Sequence, residues 1–123
     1  MKPSVPKARQ GVLHILDAAG YSLEGACRLL RETAARLELC GWVLGMVLLV
    51  LKGSGAWSLL TFSALCGLVL IVEALNTALE EVVDHLSPEW SMMAKNAKDL
   101  GSFAVAVSLV LATGYLGLAL FAH

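Results

Sequence analysis

Charged residues are scarce in this chain of 123 residues, and their scarcity excludes several classes of protein. They make up 15% of the sequence, against about 25% in ordinary soluble domains. A formal net charge of -1 lacks the basic footprint of a nucleic-acid-binding protein. The three cysteines, Cys27, Cys40 and Cys66, have no CxxC spacing, so the sequence predicts neither a disulfide framework nor a zinc site.

Signatures of soluble nucleotide enzymes are also missing. The sequence has no GxxxxGK[ST] phosphate-binding loop, and no glycine-rich loop, HRD or DFG signature. Its histidines, His14, His85 and His123, show no metal-ligand spacing. No apolar stretch typical of a signal peptide follows the basic start.

Apolar residues are abundant instead, and they form three runs. Hydrophobic residues make up 58% of the chain, and the mean hydropathy is +0.74. A membrane-spanning helix needs about 20 predominantly apolar residues. The sequence therefore predicts an all-α membrane protein of one domain over residues 1–123, with transmembrane helices over about 34–52, 56–80 and 100–121. A tight turn is expected at Lys52-Gly53-Ser54-Gly55.

The first 33 residues have a different pattern. Prolines and basic residues predict a loose start, and two short amphipathic helices broken around Gly20-Tyr21-Ser22 are expected along the membrane surface. With the N-terminus in the cytoplasm, only Lys52 among the nine lysines and arginines lies outside. The positive-inside rule therefore places the loop between the second and third spans in the cytoplasm.

Small residues at fourfold spacing predict close helix packing. Gly41 and Gly45 form a GxxxG motif in the first span, and Ala104, Ser108 and Ala112 repeat this spacing in the third. Such seams pack helices either within one chain or between subunits.

A polar stripe near the end of the second span carries the candidate chemistry. Glu73, Asn76, Glu80 and Asp84 are three, four and four residues apart, which places them on one helix face. A carboxylate within a span is costly unless it is paired, hydrated or protonated, so Glu73 is a functional candidate. The outer acids also fit a helix end that emerges into water, and Glu81 lies off the stripe.

Carboxylates at a membrane interface are suited to Mg²⁺, a hard cation that prefers oxygen ligands. Lys98 and Asp99 precede the third span and add a cation that can meet phosphates. Together these groups are typical of phosphoryl transfer. Lys98 fits equally well as an ordinary positive-inside lysine.

Four segments of the chain resemble the prokaryotic diacylglycerol kinase family. They are AAGYS at 18–22, ETAARLE at 32–38, VEALNTALE at 72–80 followed by Val83-Asp84, and AKDLGS at 97–102. The resemblance implies a homotrimer in the bacterial inner membrane, with three transmembrane helices and an N-terminal amphipathic surface helix in each chain. It also implies transfer of the γ-phosphoryl group of ATP, with Mg²⁺, to the hydroxyl of diacylglycerol at the cytoplasmic face, which gives phosphatidic acid.

The resemblance also implies roles for individual residues. Glu73 matches the general base, and Glu32 and Glu80 match residues that hold metal and nucleotide. The other nucleotide-binding positions are Tyr21, Glu89, Trp90, Ser91, Lys98 and Asp99. Ser102 matches a lipid-substrate contact, and His14 occupies the place where the family commonly has an arginine that contacts substrate. Asn76 and Asp84 match motif positions without an assigned role.

Two other functions fit the same residues. Undecaprenol kinases belong to the same family, and their substrate presents a hydroxyl at the same depth. A small oligomeric ion or proton pathway would explain Glu73 and the small-residue seams, but not Glu32 or Lys98-Asp99. Nucleotide binding distinguishes this pathway from a kinase.

Overall fold

The structure is a computed structural model that describes residues 10–122. The basic start, predicted to be loose, falls on residues 1–9 and lies outside the described residues, as does His123. Across residues 10–122 the chain forms four helices and no strand, which confirms the all-α prediction. They are α1 (Val12–Leu29), α2 (Thr33–Lys52), α3 (Ala56–Leu86) and α4 (Met92–Phe121).

Three of the helices are long and apolar enough to cross a membrane. These are α2, α3 and α4, with 20, 31 and 30 residues. α3 and α4 extend beyond the predicted spans at the end where they join, because α3 continues to Leu86 and α4 begins at Met92. These extensions carry Asp84, Lys95 and Lys98, so they form a polar helical hairpin beyond the apolar spans.

The predicted tight turn between α2 and α3 is confirmed. Gly53 ends α2 in the left-handed region, with φ at 79°. The backbone N–H of Gly53 donates to Val50 O, and that of Ser54 donates to Leu49 O. This is a glycine C-cap, in which a residue without Cβ adopts positive φ at no steric cost.

The predicted break in the N-terminal segment is wrong. α1 runs without interruption from Val12 to Leu29 and passes through Gly20. One glycine within a helix costs only about 1 kcal/mol relative to alanine. The Ser22 hydroxyl donates to Ala18 O, 2.9 Å away, and this bond within one turn is compatible with a continuous helix.

The core lies between α2, α3 and α4, far from the polar hairpin. It contains Leu49, Phe62, Cys66, Val69 and Ala112, and partly buried apolar side chains pack around it. Most other large apolar side chains on the three helices are exposed, which suits surfaces that face lipid.

Two polar contacts connect the helices around this core. The Trp42 indole N–H donates to Ser63 Oγ at 3.2 Å and joins α2 to α3. Lys52 Nζ donates to Ala119 O at 2.5 Å, so the last turn of α4 lies beside the α2–α3 turn. A lysine at this position satisfies a free carbonyl at the helix C-terminus.

Some of the small residues predicted to pack helices do so within this chain. Gly45, Ser108 and Ala112 are buried, whereas Gly41 and Ala104 are exposed. A Cβ added at Gly45 would overlap the Phe62 ring, whose residue is only 3% exposed. Gly45 therefore permits the close approach of α2 to α3.

Gly45→Ala should destabilise the helix bundle, because the Phe62 ring is buried and has little room to move. Overpacking of this kind costs about 1–3 kcal/mol of unfolding free energy. Chemical denaturation of the purified protein in detergent micelles measures this loss. Gly41→Ala, where an added Cβ meets nothing within 4 Å, is the matched control and should not destabilise the protein. Equal stability of the two variants would contradict the packing assigned to Gly45.

Candidate active site

Glu73 is the centre of the polar site. It lies in the apolar part of α3, and only 6% of the residue is exposed. Further along the same face, Asn76 is half-buried, and Glu80 and Asp84 are exposed. Asn76 Nδ2 donates to Glu80 Oε1 at 3.3 Å. The stripe thus runs from a buried acid to exposed acids in about three helical turns.

Glu32 approaches this stripe from a different segment of the chain. It is the N-cap of α2 and lies in the short connection that follows α1. Both Glu32 and Glu80 are close enough to Glu73 to interact electrostatically with its carboxylate. The fold therefore brings together three acids that lie as much as 48 residues apart in the sequence, from Glu32 to Glu80.

Arg28 lies beside this acidic cluster and contacts two helices. Its Nη1 donates to Glu32 Oε1 at 2.6 Å, and its Nε donates to Glu81 Oε1 at 2.7 Å. Both hydrogen bonds raise the pKa of the Arg28 guanidinium above its usual value, and the bond to Glu32 has the larger effect. Arg28 therefore supplies a permanent positive charge next to Glu32.

Glu38 is a further acid near Glu73. It lies on α2, and its carboxylate interacts electrostatically with that of Glu73. Its Oε2 atom is buried and has no hydrogen-bond partner among the described residues. The side chain lines an apolar groove of about 470 Å³ between α2, α3 and α4, whose wall includes Gly41, Leu44 and Leu116. The groove therefore joins an apolar wall to Glu38, which interacts with Glu73.

A second groove, of about 330 Å³, surrounds the connection between α3 and α4. Six of the predicted site residues line it: Asp84, Glu89, Trp90, Ser91, Lys98 and Asp99. Lys98 Nζ pairs with Asp84 Oδ1 at 2.5 Å, and Lys95 Nζ pairs with Asp99 Oδ2 at 2.5 Å. Ser91 caps α4 by accepting a hydrogen bond from Ala94 N at 3.1 Å. The groove carries two lysines, and each is paired with one of the three acids that line it, so an anionic ligand would replace an acid as the partner of a lysine.

Three predicted residues lie apart from these grooves. His14 and Tyr21 are exposed on α1, and Ser102 is exposed on α4. None of the three lines the apolar groove or the groove at the α3–α4 connection. The structure therefore divides the predicted site residues into an acidic cluster, a hairpin groove and three exposed positions.

Some residues of the site could not be identified from the sequence alone. Glu81 lies off the acidic stripe, where the sequence offers no partner for it, but it forms an ion pair with Arg28 from another helix. Its partner is 53 residues away, a separation that helical periodicity cannot detect. The contact of Arg28 with Glu32 does have a local signal, because the two residues are four apart.

The acidic residues that the structure describes do not form a complete metal site by themselves. Among residues 10–122, no group of three or more His, Cys, Asp or Glu side chains is arranged to hold a metal ion by itself. Mg²⁺ is commonly held by one or two carboxylates together with substrate phosphates rather than by a cage of protein ligands. Glu32 and Glu80 therefore fit Mg²⁺ bound with a nucleotide, and they do not fit a cation site made of protein alone.

Gly101 leaves the space that the side-chain oxygen of Asn76 occupies, and this close approach can be tested. A Cβ at Gly101 would overlap Asn76 Oδ1, so Gly101→Ala should displace the amide and break its bond to Glu80. Overpacking at this contact should lower the free energy of unfolding by about 1–3 kcal/mol. In an Asn76→Ala background the same substitution should cost much less, because the clashing group is gone.

Denaturation in micelles measures all four proteins of this double-mutant cycle. Gly114→Ala on the same helix, where an added Cβ meets nothing within 4 Å, is the control. Additive effects of Gly101→Ala and Asn76→Ala would contradict the contact.

Comparison with known proteins identifies the family. A sequence model described as prokaryotic diacylglycerol kinase matches residues 20–120. A protein named diacylglycerol kinase from a Sinorhizobium species is 45% identical over 85% of this chain and 75% of its own length. Another from Pseudomonas aeruginosa is 44% identical over 92% of this chain and 93% of its own. One from Escherichia coli K12 is 33% identical over the same shares. The chain belongs to the prokaryotic diacylglycerol kinase family.

Proposed function

We propose that this protein transfers the γ-phosphoryl group of ATP to the hydroxyl of diacylglycerol and produces phosphatidic acid. Its relatives are named for this lipid substrate. The observation that carries the proposal is the position of Glu73, a buried acid in a membrane-spanning helix. It interacts with Glu38, which lines the apolar groove, and with the acids Glu32 and Glu80 of the polar cluster. A lipid hydroxyl and a water-soluble nucleotide can meet only at such a boundary.

In the proposed reaction, Glu73 acts as the general base. Its carboxylate accepts the proton of the lipid hydroxyl while the hydroxyl oxygen attacks the γ-phosphorus of ATP. The bond from the γ-phosphorus to the bridging oxygen breaks, and ADP leaves with the electron pair. Positioned proton transfer of this kind typically contributes about 10²–10⁴-fold to the rate.

Glu32 and Glu80 would hold Mg²⁺ together with the phosphates of the nucleotide. Both carboxylates lie close enough to Glu73 to interact with it, which suits a ligand pair next to the proposed base. Mg²⁺, when bound, supplies positive charge that offsets the charge of the phosphates. Glu32 enters from the α2 N-terminus and Glu80 from α3, so two separate elements position the ligand pair.

The hairpin groove is the proposed nucleotide site. Lys98 presents an ammonium group that can bind phosphate, and Asp99, Glu89, Trp90 and Ser91 lie around it. Trp90 is 76% exposed and offers an aromatic face to the nucleotide base. We assign Tyr21 to the nucleotide as well, and His14 and Ser102 to the lipid substrate, on the family resemblance.

We further propose that the chain is a single kinase domain in the bacterial inner membrane, with its N-terminus and the α3–α4 connection in the cytoplasm. The excess of Lys and Arg at this end supports that orientation. α1 presents large exposed apolar residues, including Val12, Ile15 and Leu16, which suits an amphipathic helix on the membrane surface. Assembly as a homotrimer follows from the family resemblance.

Glu73→Gln tests the general base directly. The amide cannot accept the proton, so kcat should fall by about 10²–10⁴-fold. The affinity for ATP should stay close to that of the wild type, because Glu73 contacts the lipid hydroxyl. A coupled assay for ADP in mixed micelles with diacylglycerol measures kcat, and equilibrium dialysis measures ATP binding. Glu24→Gln, which removes an exposed acid of α1, is the control and should keep full activity. Retention of more than about a tenth of wild-type activity by Glu73→Gln would refute the assignment.

Lys98→Met tests the nucleotide groove. Loss of a charged hydrogen bond to phosphate should raise the KM for ATP by about tenfold or more. The KM for diacylglycerol should change little, because the groove lies outside the apolar spans. Lys98→Arg keeps the charge and should recover part of the affinity, and Arg31→Gln removes an exposed arginine as a control. An unchanged KM for ATP in Lys98→Met would remove Lys98 from the site.

A further inference from the structure

The guanidinium of Arg28 is shared between two acids of different segments. Nη1 donates to Glu32 Oε1 at 2.6 Å. Nε and Nη2 both reach Glu81 Oε1, at 2.7 and 2.5 Å. The rigid planar fork of arginine can hold both partners at once, which a lysine ammonium cannot do with the same geometry.

Glu81 anchors this arginine on α3. Arg28 and Glu81 both line a groove of about 620 Å³ between α1 and α3, so the ion pair joins the two helices at the edge of that groove. Because α1 makes few other contacts with the bundle among the described residues, the ion pair fixes where the end of α1 lies relative to α3. The direction of the guanidinium is therefore set by a residue outside the acidic stripe.

Arg28 occupies only one of the two carboxylate oxygens of Glu32. Its Oε1 is occupied, while Oε2 accepts no hydrogen bond from the described residues. Meanwhile its carboxylate interacts unfavourably with that of Glu73. A fixed positive charge at Oε1 offsets this repulsion and holds the side chain in one orientation, with one oxygen left for a ligand.

We infer that Arg28, held in place by Glu81, is a positioning residue that orients Glu32 for Mg²⁺ bound with the nucleotide. The inference rests on the proposed function, because it takes Glu32 as one of the metal ligands. Residues that hydrogen-bond to metal ligands orient them, and their loss commonly costs about 10–100-fold in metal affinity or activity.

The experiment measures metal binding without phosphoryl transfer. Mn²⁺ replaces Mg²⁺ as a spectroscopic probe and is titrated into the purified full-length protein in micelles with a non-hydrolysable ATP analogue. Electron paramagnetic resonance follows free Mn²⁺ and gives its Kd. Arg28→Gln should raise the Kd for Mn²⁺ by about tenfold or more. Glu81→Gln should raise it in the same direction, although Glu81 itself is not a proposed ligand.

The double variant separates positioning from independent effects. If Glu81 acts only through Arg28, Arg28→Gln combined with Glu81→Gln should bind Mn²⁺ no more weakly than Arg28→Gln alone. Arg31→Gln, which removes a neighbouring exposed arginine, is the matched control and should bind Mn²⁺ like the wild type. Arg28→Lys keeps the charge without the fork and should give an intermediate Kd, and it replaces Arg28→Gln if that variant fails to fold.

The inference and the proposed function fail in different ways. Wild-type Mn²⁺ affinity in Arg28→Gln or Arg28→Lys, in a protein that phosphorylates diacylglycerol, overturns the inference and leaves the proposed function standing. A wild-type protein that binds Mn²⁺ and the analogue but phosphorylates no lipid overturns the proposed function, and the Kd values of the variants still decide the role of Arg28. Additive effects of Arg28→Gln and Glu81→Gln also overturn the inference.

Discussion

A carboxylate in a membrane-spanning helix is the constraint on which this structure depends. An acidic side chain near the middle of a span costs about 2.5–3.5 kcal/mol on insertion scales, so it is kept only where other groups or a ligand compensate. Glu73 lies toward the polar end of α3, only 6% exposed, with polar residues of three segments around it. The connection before α2 brings Glu32, and α2 itself brings Glu38. The polar end of the molecule is thus organised around one buried acid.

The apolar part of the molecule serves this arrangement. Gly45 packs closely against Phe62 and so joins α2 to α3. Lys52 caps the C-terminus of α4 and so joins it to the end of α2. The proposed chemistry lies toward the other end, where α3 and α4 project beyond the predicted spans. A groove of about 470 Å³ runs from the core to Glu38 and connects the two regions. This division suits a lipid substrate whose chains stay among the helices while its hydroxyl reaches polar groups.

Helical periodicity was enough to predict the three long apolar helices and the shared face of Glu73, Asn76 and Glu80. The glycines of Lys52-Gly53-Ser54-Gly55 predicted the turn at Gly53, because positive φ favours glycine. Helical periodicity could not predict that α1 is continuous through Gly20, where the cost of one glycine is smaller than the cost of nucleating a second helix. Nor could it predict the Arg28–Glu81 pair, which depends on how α1 is placed against α3 in three dimensions. Local spacing was therefore enough to predict the helices and the polar stripe. The residues that contact the stripe from other helices depend on the tertiary structure.

The most direct test of the account is phosphoryl transfer by the wild-type protein. Purified protein in mixed micelles is given radiolabelled ATP with Mg²⁺, and diacylglycerol and undecaprenol are offered at equal concentration. The account predicts labelled phosphatidic acid, formed only with Mg²⁺ and at a clearly higher kcat/KM than labelled undecaprenyl phosphate. A preference for undecaprenol would keep the site and change the substrate. Transfer to neither lipid, with no ATP bound, would contradict the account.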